Sequence, residues 1–291
     1  MKKTTLFLIV FLMAITACNK IDTSTEVFTI TMPVTVTQWD PDYAKTVVQK
    51  IYVEEFTGHT CIYCPNGAAI LKTIMEEDPT IIATAIHCTS LAAPLTQPPF
   101  DNDYRTPMGD RICSDFKITG LPKAMINRKG NGANGWEFDR NKWRSTIAGI
   151  DRNNVKAGIQ LQCHIDTVKQ VIEAQVAVTI IKNIPNPVQL CLLLQQDGFI
   201  SGQLNGNQEI LDYEHTHVLR AGFNGNYGMK LTSDGVVKEQ FKYSVAFKLA
   251  YSNSFPNSFL PLKMENCSVV AYLLDMTTKE VVQVEEVRGE R

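Results

Sequence analysis

Two cysteines, Cys61 and Cys64, stand two residues apart in FTGHTCIYCPNGAAIL, between a predicted strand and a predicted helix. The strand is indicated by the apolar residues of 47–56, and the helix by apolar residues at helical spacing over 66–77. A second apolar strand is predicted at 81–88. This β-α-β order predicts a parallel strand pair with a right-handed crossover. The cysteines would then lie at the amino end of the crossover helix.

This position favours a redox dithiol. Two sulfurs one helical turn apart can close a disulfide with little strain, and the positive end of the helix dipole favours thiolate over thiol. Cys61 is the predicted nucleophile and Cys64 the resolving cysteine. His59 would add to the effect if it were protonated, and a loop histidine without a role is the alternative.

Two other uses of the pair stay open. A zinc site would need further ligands, for which Cys88, Cys113 or His87 are candidates, but these are widely spaced and no second CxxC occurs. The pair could also be an inert disulfide in a domain that kept its fold and lost its activity. We assign no metal ligands and expect no cofactor.

The segment Ile118-Thr119-Gly120-Leu121-Pro122 is the second motif of this half of the chain. It resembles the part of thioredoxin-fold proteins in which a cis-proline faces the CxxC, and Pro122 matches that proline. The resemblance implies a thioredoxin-like domain over residues 46–152, with Pro122 as a site residue. One departure is the large dipeptide Ile62-Tyr63 between the cysteines, where the thioredoxin loop carries small or rigid residues.

The amino terminus predicts export. Lys2 and Lys3 precede an apolar core that is too short to span a bilayer, which is typical of a signal peptide. Residues 15–18, Ile-Thr-Ala-Cys, resemble a lipobox, which implies a signal peptide at 1–17 and lipidation of Cys18. An ordinary signal peptide is the alternative. Residues 18–45 are predicted to be the lipidated terminus and a linker, with at most one short strand at 27–36.

The chain changes character after residue 152. Short stretches that alternate apolar and polar residues, separated by turn residues, predict an all-β, immunoglobulin-like sandwich over 153–291. The chain holds eight cysteines. A Cys88–Cys113 bridge would be compatible with the predicted elements, and Cys163, Cys191 and Cys267 are predicted to be buried free thiols. A net charge of −2 argues against a nucleic-acid partner.

A histidine pair, His215 and His217, lies in YEHTHVLR. On a strand both imidazoles would share one face, as some metal sites require, but a polar loop leading into a strand is the favoured interpretation. Together with FTGHTCIYCPNGAA, ITGLPKAMINR and the lipobox, this stretch resembles the outer membrane protein 28-type lipoproteins of Bacteroidetes. The resemblance implies a lipid anchor, a thioredoxin-like N-terminal domain and a β-rich C-terminal domain.

Two functions follow as hypotheses. The first is a cell-envelope lipoprotein that carries out thiol–disulfide exchange, or redox-linked partner binding, through Cys61, Cys64 and Pro122. The second is a non-enzymatic outer-membrane or surface lipoprotein that binds or adheres through its β-sandwich, with the thioredoxin-like domain as a scaffold. Both place the protein on a membrane through its lipid anchor and expect an envelope or surface protein as partner.

Overall fold

The structure is a computed structural model, and it describes residues 28–132, 135–250 and 262–289. The predicted signal peptide and Cys18 lie outside these described residues. No helix within these ranges is both long and apolar enough to cross a bilayer.

The helices are short, and their first turns carry the expected signals. A proline lies in the first turn of three of them, where no backbone N–H is needed. The Thr106 hydroxyl accepts a hydrogen bond from the Gly109 N–H and so caps the third. The helices are α1 Pro41–Thr46, α2 Cys64–Glu77, α3 Pro107–Asp115 and α4 Trp143–Ala148.

Strands dominate the described residues. The strands of the first half are β1 Phe28–Thr31, β2 Thr35–Gln38, β3 Ile51–Thr57, β4 Ile81–His87, β5 Lys123–Ile126 and β6 Phe138–Asp139. Those of the second half are β7 Ala157–Asp166, β8 Val171–Ile180, β9 Val188–Gln196, β10 Phe199–Asn205, β11 Gln208–His215, β12 Val218–Gly222, β13 Met229–Lys230, β14 Phe241–Ala250, β15 Cys267–Asp275 and β16 Val281–Arg288.

The largest sheet has nine strands and draws on both halves of the chain. Its order is β16-β15-β9-β12-β4-β3-β5-β6, and β13 also pairs with β9. β3 and β4 are parallel and joined by α2, so the predicted β-α-β unit is confirmed. β5 is antiparallel to β3, and β6 is antiparallel to β5. The β-rich half joins this unit through β12, which lies parallel to β4.

Helices cover both faces of the β4-β3-β5 region. Because side chains alternate along a strand, Ile51 and Val53 of β3 pack with α2 and α4 on one face. Tyr52 and Phe56 pack on the other face, against Met108 and Ile112 of α3. The same alternation places the side chains of Glu54 and Glu55, which are adjacent in β3, on opposite faces of the sheet.

The second half builds a two-layer β structure. A five-stranded sheet packs against the β9 and β15 end of the large sheet. In the five-stranded sheet, β14 pairs with β1, β2 and β8, and β8 also pairs with β7. Inward side chains such as Val176, Val245, Leu192 and Ala271 form the shared core. β1 and β2 belong to this sheet, although the sequence predicts mainly a linker there.

A separate two-stranded sheet completes the fold. β10 and β11 form a hairpin, hereafter the 199–215 hairpin, whose strands pair from Phe199 with His215 to Asn205 with Gln208. The hairpin lies over the loop that carries the CxxC. The sequence analysis did not predict it.

Candidate functional site

Cys61 and Cys64 form a disulfide at the start of α2, with Cα atoms 5.4 Å apart. α2 begins at Cys64, two residues before its predicted start, because Pro65 fits the first helical turn. Both cysteines are only 2% exposed. The pair therefore lies at the amino end of α2, where it is covered.

Pro122 lies against the first turns of α2. The Leu121–Pro122 peptide bond is cis, and it directly precedes β5. Gly67 of α2 allows the close approach, because a Cβ at this position would lie 2.9 Å from Pro122 Cβ. The structure thus brings Pro122 to the helix that begins with Cys64.

Glu55 of β3 lies under the same turn. Its Oε1 atom would be 3.2 Å from a Cβ at position 67, and no described residue donates a hydrogen bond to this buried oxygen. Burial raises the pKa of Glu55 to about 8. Glu55 therefore holds a proton at neutral pH, next to the disulfide-bearing turn.

His59 does not supply the positive charge considered in the sequence analysis. Its side chain is buried, and burial lowers the pKa of the imidazole below its ordinary value, although backbone carbonyls of Phe100 and Ala93 partly oppose this. The ring is therefore neutral at neutral pH. Stabilisation of a Cys61 thiolate would rest on the helix terminus instead.

The 199–215 hairpin holds the CxxC loop through hydrogen bonds to its carbonyls. The Gln203 carboxamide donates to the carbonyls of Gly58 at 3.3 Å and Cys61 at 3.2 Å. Backbone N–H groups of Leu204 and Gly206 donate to the carbonyls of His59 and Ile62, each at 2.9 Å. These contacts explain why Cys61 is buried.

Three imidazoles and a phenol pack together behind the hairpin. His87 and His215 each have a ring centroid 4.8 Å from that of Tyr104, and His59 lies 5.7 Å from it. All four side chains are buried. Neither ring nitrogen of His87, nor Nε2 of His215, has a hydrogen-bond partner in the described chain. We call these four residues the imidazole cluster.

An outer rim of the site remains exposed. Tyr63 is 57% exposed, and the Arg140 guanidinium lies 5.4 Å from its ring centroid. Arg140 Nε also donates a hydrogen bond to Asn66 Oδ1 at 2.7 Å. Ile62 and Tyr63, which depart from the thioredoxin loop, thus form the accessible surface between the cysteines.

The structure describes five further cysteines, whose pairing the sequence left open. Cys88 and Cys113 form a second disulfide, and Cys163, Cys191 and Cys267 are buried free thiols. The disulfide occupies two of the candidate zinc ligands. Within the described ranges, no group of three or more histidine, cysteine or acidic residues could hold a metal ion.

The two histidines of the pair lie in different surroundings. His215 ends β11 inside the imidazole cluster, whereas His217 lies between β11 and β12 with a positive φ of 56°. The His217 N–H donates to Asp197 Oδ1 at 2.7 Å. The two rings therefore do not form a joint metal site.

Three residues of the site were missed from the sequence: Glu55, Tyr104 and Gln203. Glu55 could have been noticed as an acid inside an apolar strand. Tyr104 lies in an irregular segment, and Gln203 acts only through the hairpin. Gly206-Asn207 between two short runs is a hairpin signal that could have revealed β10 and β11.

Comparison with solved structures finds matches at low sequence identity, and HBP35 of Porphyromonas gingivalis shares the fold. HBP35 of Porphyromonas gingivalis is 14% identical, with a TM-score of 0.61 over 84% of this chain and 76% of that one. A protein of Agrobacterium tumefaciens is 12% identical, with a TM-score of 0.49 over 84% and 97% of the two chains. A domain of the outer membrane lipoprotein Omp28 from Porphyromonas gingivalis is 22% identical, with a TM-score of 0.31 over 46% and 96%.

Sequence comparison with protein families is more specific. No curated protein matches the chain in sequence. The model of the family "Outer membrane protein Omp28" matches residues 110–290, which is more than half of the chain. The chain therefore belongs to the Omp28 family of outer-membrane lipoproteins of the cell envelope.

Proposed function

We propose that this protein is a thiol–disulfide exchange lipoprotein that uses the Cys61–Cys64 pair. The observation that carries the proposal is the packing of Pro122 and Glu55 against Gly67, in the first turns of the helix where the pair lies. The strand order β4-β3-β5-β6, with a cis-proline before β5, supports a thioredoxin-like unit over about residues 46–152. We assign residues 153–291 to an immunoglobulin-like β-sandwich and lipid attachment to Cys18.

The disulfide form can oxidise a dithiol in a partner protein. A partner thiolate attacks Cys61 Sγ, the Cys61–Cys64 bond breaks, and Cys64 leaves as a thiolate. Glu55, which is protonated at neutral pH, gives its proton to this thiolate. The partner's second thiolate then attacks the partner sulfur of the mixed disulfide and releases Cys61. Two electrons have passed from the partner dithiol to the pair.

A resolving-cysteine variant tests the proposal. Cys64→Ser should accumulate mixed disulfides with envelope proteins, visible as adducts that a reductant removes. The matched control is the double variant Cys61→Ser/Cys64→Ser, which should form none. Absence of Cys61-dependent adducts in envelope extracts would contradict the proposal.

One observation favours a second candidate, a non-enzymatic binding lipoprotein. Cys61 is covered by the 199–215 hairpin, so the pair could be a structural disulfide of a scaffold. An envelope or surface protein partner would then bind equally well to Cys61→Ser/Cys64→Ser and to the unchanged protein. Chemical cross-linking in envelope extracts distinguishes the two, because redox-linked binding loses its partner in the double variant.

A further inference from the structure

We propose that the 199–215 hairpin is a lid over Cys61 that the imidazole cluster releases on acidification. The role of this lid depends on the proposed function, because the lid would control when a partner reaches the disulfide. Its existence as a movable element rests on geometry alone.

The hairpin is built to separate from the CxxC loop as a unit. Its two strands pair only with each other among the described strands. It holds the loop through the Gln203 side chain and the N–H groups of Leu204 and Gly206. A second contact joins Ser201 to Asn102, whose side chain donates to the serine hydroxyl at 2.9 Å. Breaking these bonds, together with the packing of Phe199 on Tyr104 and of Gly202 on Pro99, exposes Cys61 and leaves both main sheets intact.

The imidazole cluster links the lid to what it covers. His215 is the last residue of the hairpin, His59 lies in the CxxC loop, and His87 ends β4 beneath both. The His87 and His215 ring centroids are 5.7 Å apart, and the Tyr104 ring packs against both rings. Protonation of any of these imidazoles therefore places a charge at the joint between lid and loop.

The surroundings offer little negative charge to balance such a proton. Asp103 faces His59 but pairs with Arg105, whose Nη2 lies 2.7 Å from the carboxylate. Arg220 is close to Tyr104 and adds positive charge. Asp101 adds one negative charge near Tyr104. On the hairpin side lie Tyr213, next to His215, and Glu55, which faces Tyr213 and is neutral below its pKa of about 8.

Acid therefore favours the open lid. Burial lowers the pKa of His59, His87 and His215, that of His215 from 6.5 to about 4. In the open lid His215 recovers an ordinary pKa, so the open state binds the proton first and the closed state loses stability as pH falls below about 6.5. From its shift alone, His215 raises the opening constant about 30-fold between about pH 7.5 and about pH 5.

Amide hydrogen exchange tests the lid without any redox assay. The protection factors of the Leu204 and Gly206 amides should fall at least about tenfold between about pH 7.5 and about pH 5, after correction for intrinsic exchange. Amides of β15, Cys267–Asp275, report global opening and should keep their protection. His215→Phe retains an aromatic side chain without a proton site, so the pH dependence should weaken by the share of His215, while His59 and His87 keep theirs.

His164→Phe, at an exposed position of β7, is the matched control and should behave as the unchanged protein. Equal protection of Leu204 and Gly206 at both pH values, or an unchanged pH dependence in His215→Phe, would overturn the lid. Parallel loss of protection in β15 would also overturn it, since acid would then unfold the whole protein. Failure of Cys64→Ser to trap partners would remove the proposed function and leave these exchange results unaffected.

Discussion

At the residue scale, the adjacent acids Glu54 and Glu55 of β3 lie in two different environments. Glu54 points to the α3 face, where Arg128 Nε and Nη2 donate to its carboxylate at 2.7 and 2.6 Å. Glu55 points to the α2 face, where its buried Oε1 accepts no hydrogen bond from any described residue. The negative charge of Glu54 is therefore neutralised by the buried Arg128 guanidinium, whereas Glu55 stays uncharged because it keeps its proton.

Glu55→Gln should remove one source of pH-dependent stability. The pKa of Glu55 is raised from 4.5 to about 8, so the folded state keeps a proton that the unfolded state releases above about pH 4.5. Stability is therefore lost as pH rises from about 4.5 to about 8, at up to about 1.4 kcal/mol per pH unit. Urea unfolding of the variant across this window should show a flatter dependence.

Glu209→Gln, at an exposed position of the hairpin, is the control and should follow the unchanged protein. If Glu55→Gln also retains the original pH slope, Glu55 does not hold its proton at neutral pH.

The buried pair of Arg128 and Glu54 makes a separate prediction. Arg128→Met alone should destabilise the protein by about 3–5 kcal/mol, because Glu54 would stay buried without its cation. Arg128→Met/Glu54→Leu should recover most of this loss, because both charges are then absent. Denaturant unfolding of the two single variants and the double variant measures the coupling. Additive effects would contradict a direct ion pair.

At the element scale, the amino-terminal turns of α2 depend on one small residue. A Cβ at Gly67 would lie 2.9 Å from Pro122 Cβ and 3.2 Å from Glu55 Oε1. Both neighbours are held by β5 and β3, so little room can open for a side chain. Gly67 thus sets the distance between the helix and the proline that face each other at the site.

Gly67→Ala should destabilise the protein by about 1–3 kcal/mol through overpacking. Gly149→Ala, at the end of α4, is the matched control, because its Cβ would meet nothing closer than 3.5 Å. The control should change the free energy of unfolding by less than about 0.5 kcal/mol. Equal effects of the two substitutions in thermal unfolding would contradict the close packing of Pro122 on α2.

Local patterns predicted the β-α-β unit and the alternating strands of the second half, because periodicity is carried by neighbouring residues. Cys61, Cys64 and Pro122 could also be identified from the sequence, because they stand in recognisable motifs. Gln203 was not, because its contact with the Cys61 carbonyl spans 142 positions and leaves no local pattern. His215 was noticed as part of a pair, but only the fold shows that it packs with His87 and Tyr104.

At the scale of the whole molecule, the two halves share one hydrogen-bonded sheet. β12 pairs with β4 at Val218 and Ala85, and the Ala85 N–H donates to the His217 carbonyl at 2.8 Å. The other edge of β12 pairs with β9, which contributes to the core of the second half. The sequence analysis placed a domain boundary at residue 152, and no local signal could reveal that a sheet continues across it.

We expect the protein to unfold in a single cooperative transition. Fluorescence of the three tryptophans, all in the first half of the chain, and far-UV circular dichroism of the β strands should give coincident denaturant curves. Two separated transitions would show that the halves are stable independently.

In the proposed function, Cys61 and Cys64 exchange electrons with partner thiols. Equilibration in glutathione buffers of set ratio, followed by alkylation and mass determination, measures the potential of the pair most directly. We expect a reversible two-electron transition above about −300 mV, because disulfides that resist glutathione lie below that value. Cys61→Ser/Cys64→Ser should lack this transition. A pair that stays oxidised at every accessible ratio would contradict the claim and favour a binding lipoprotein with a structural disulfide.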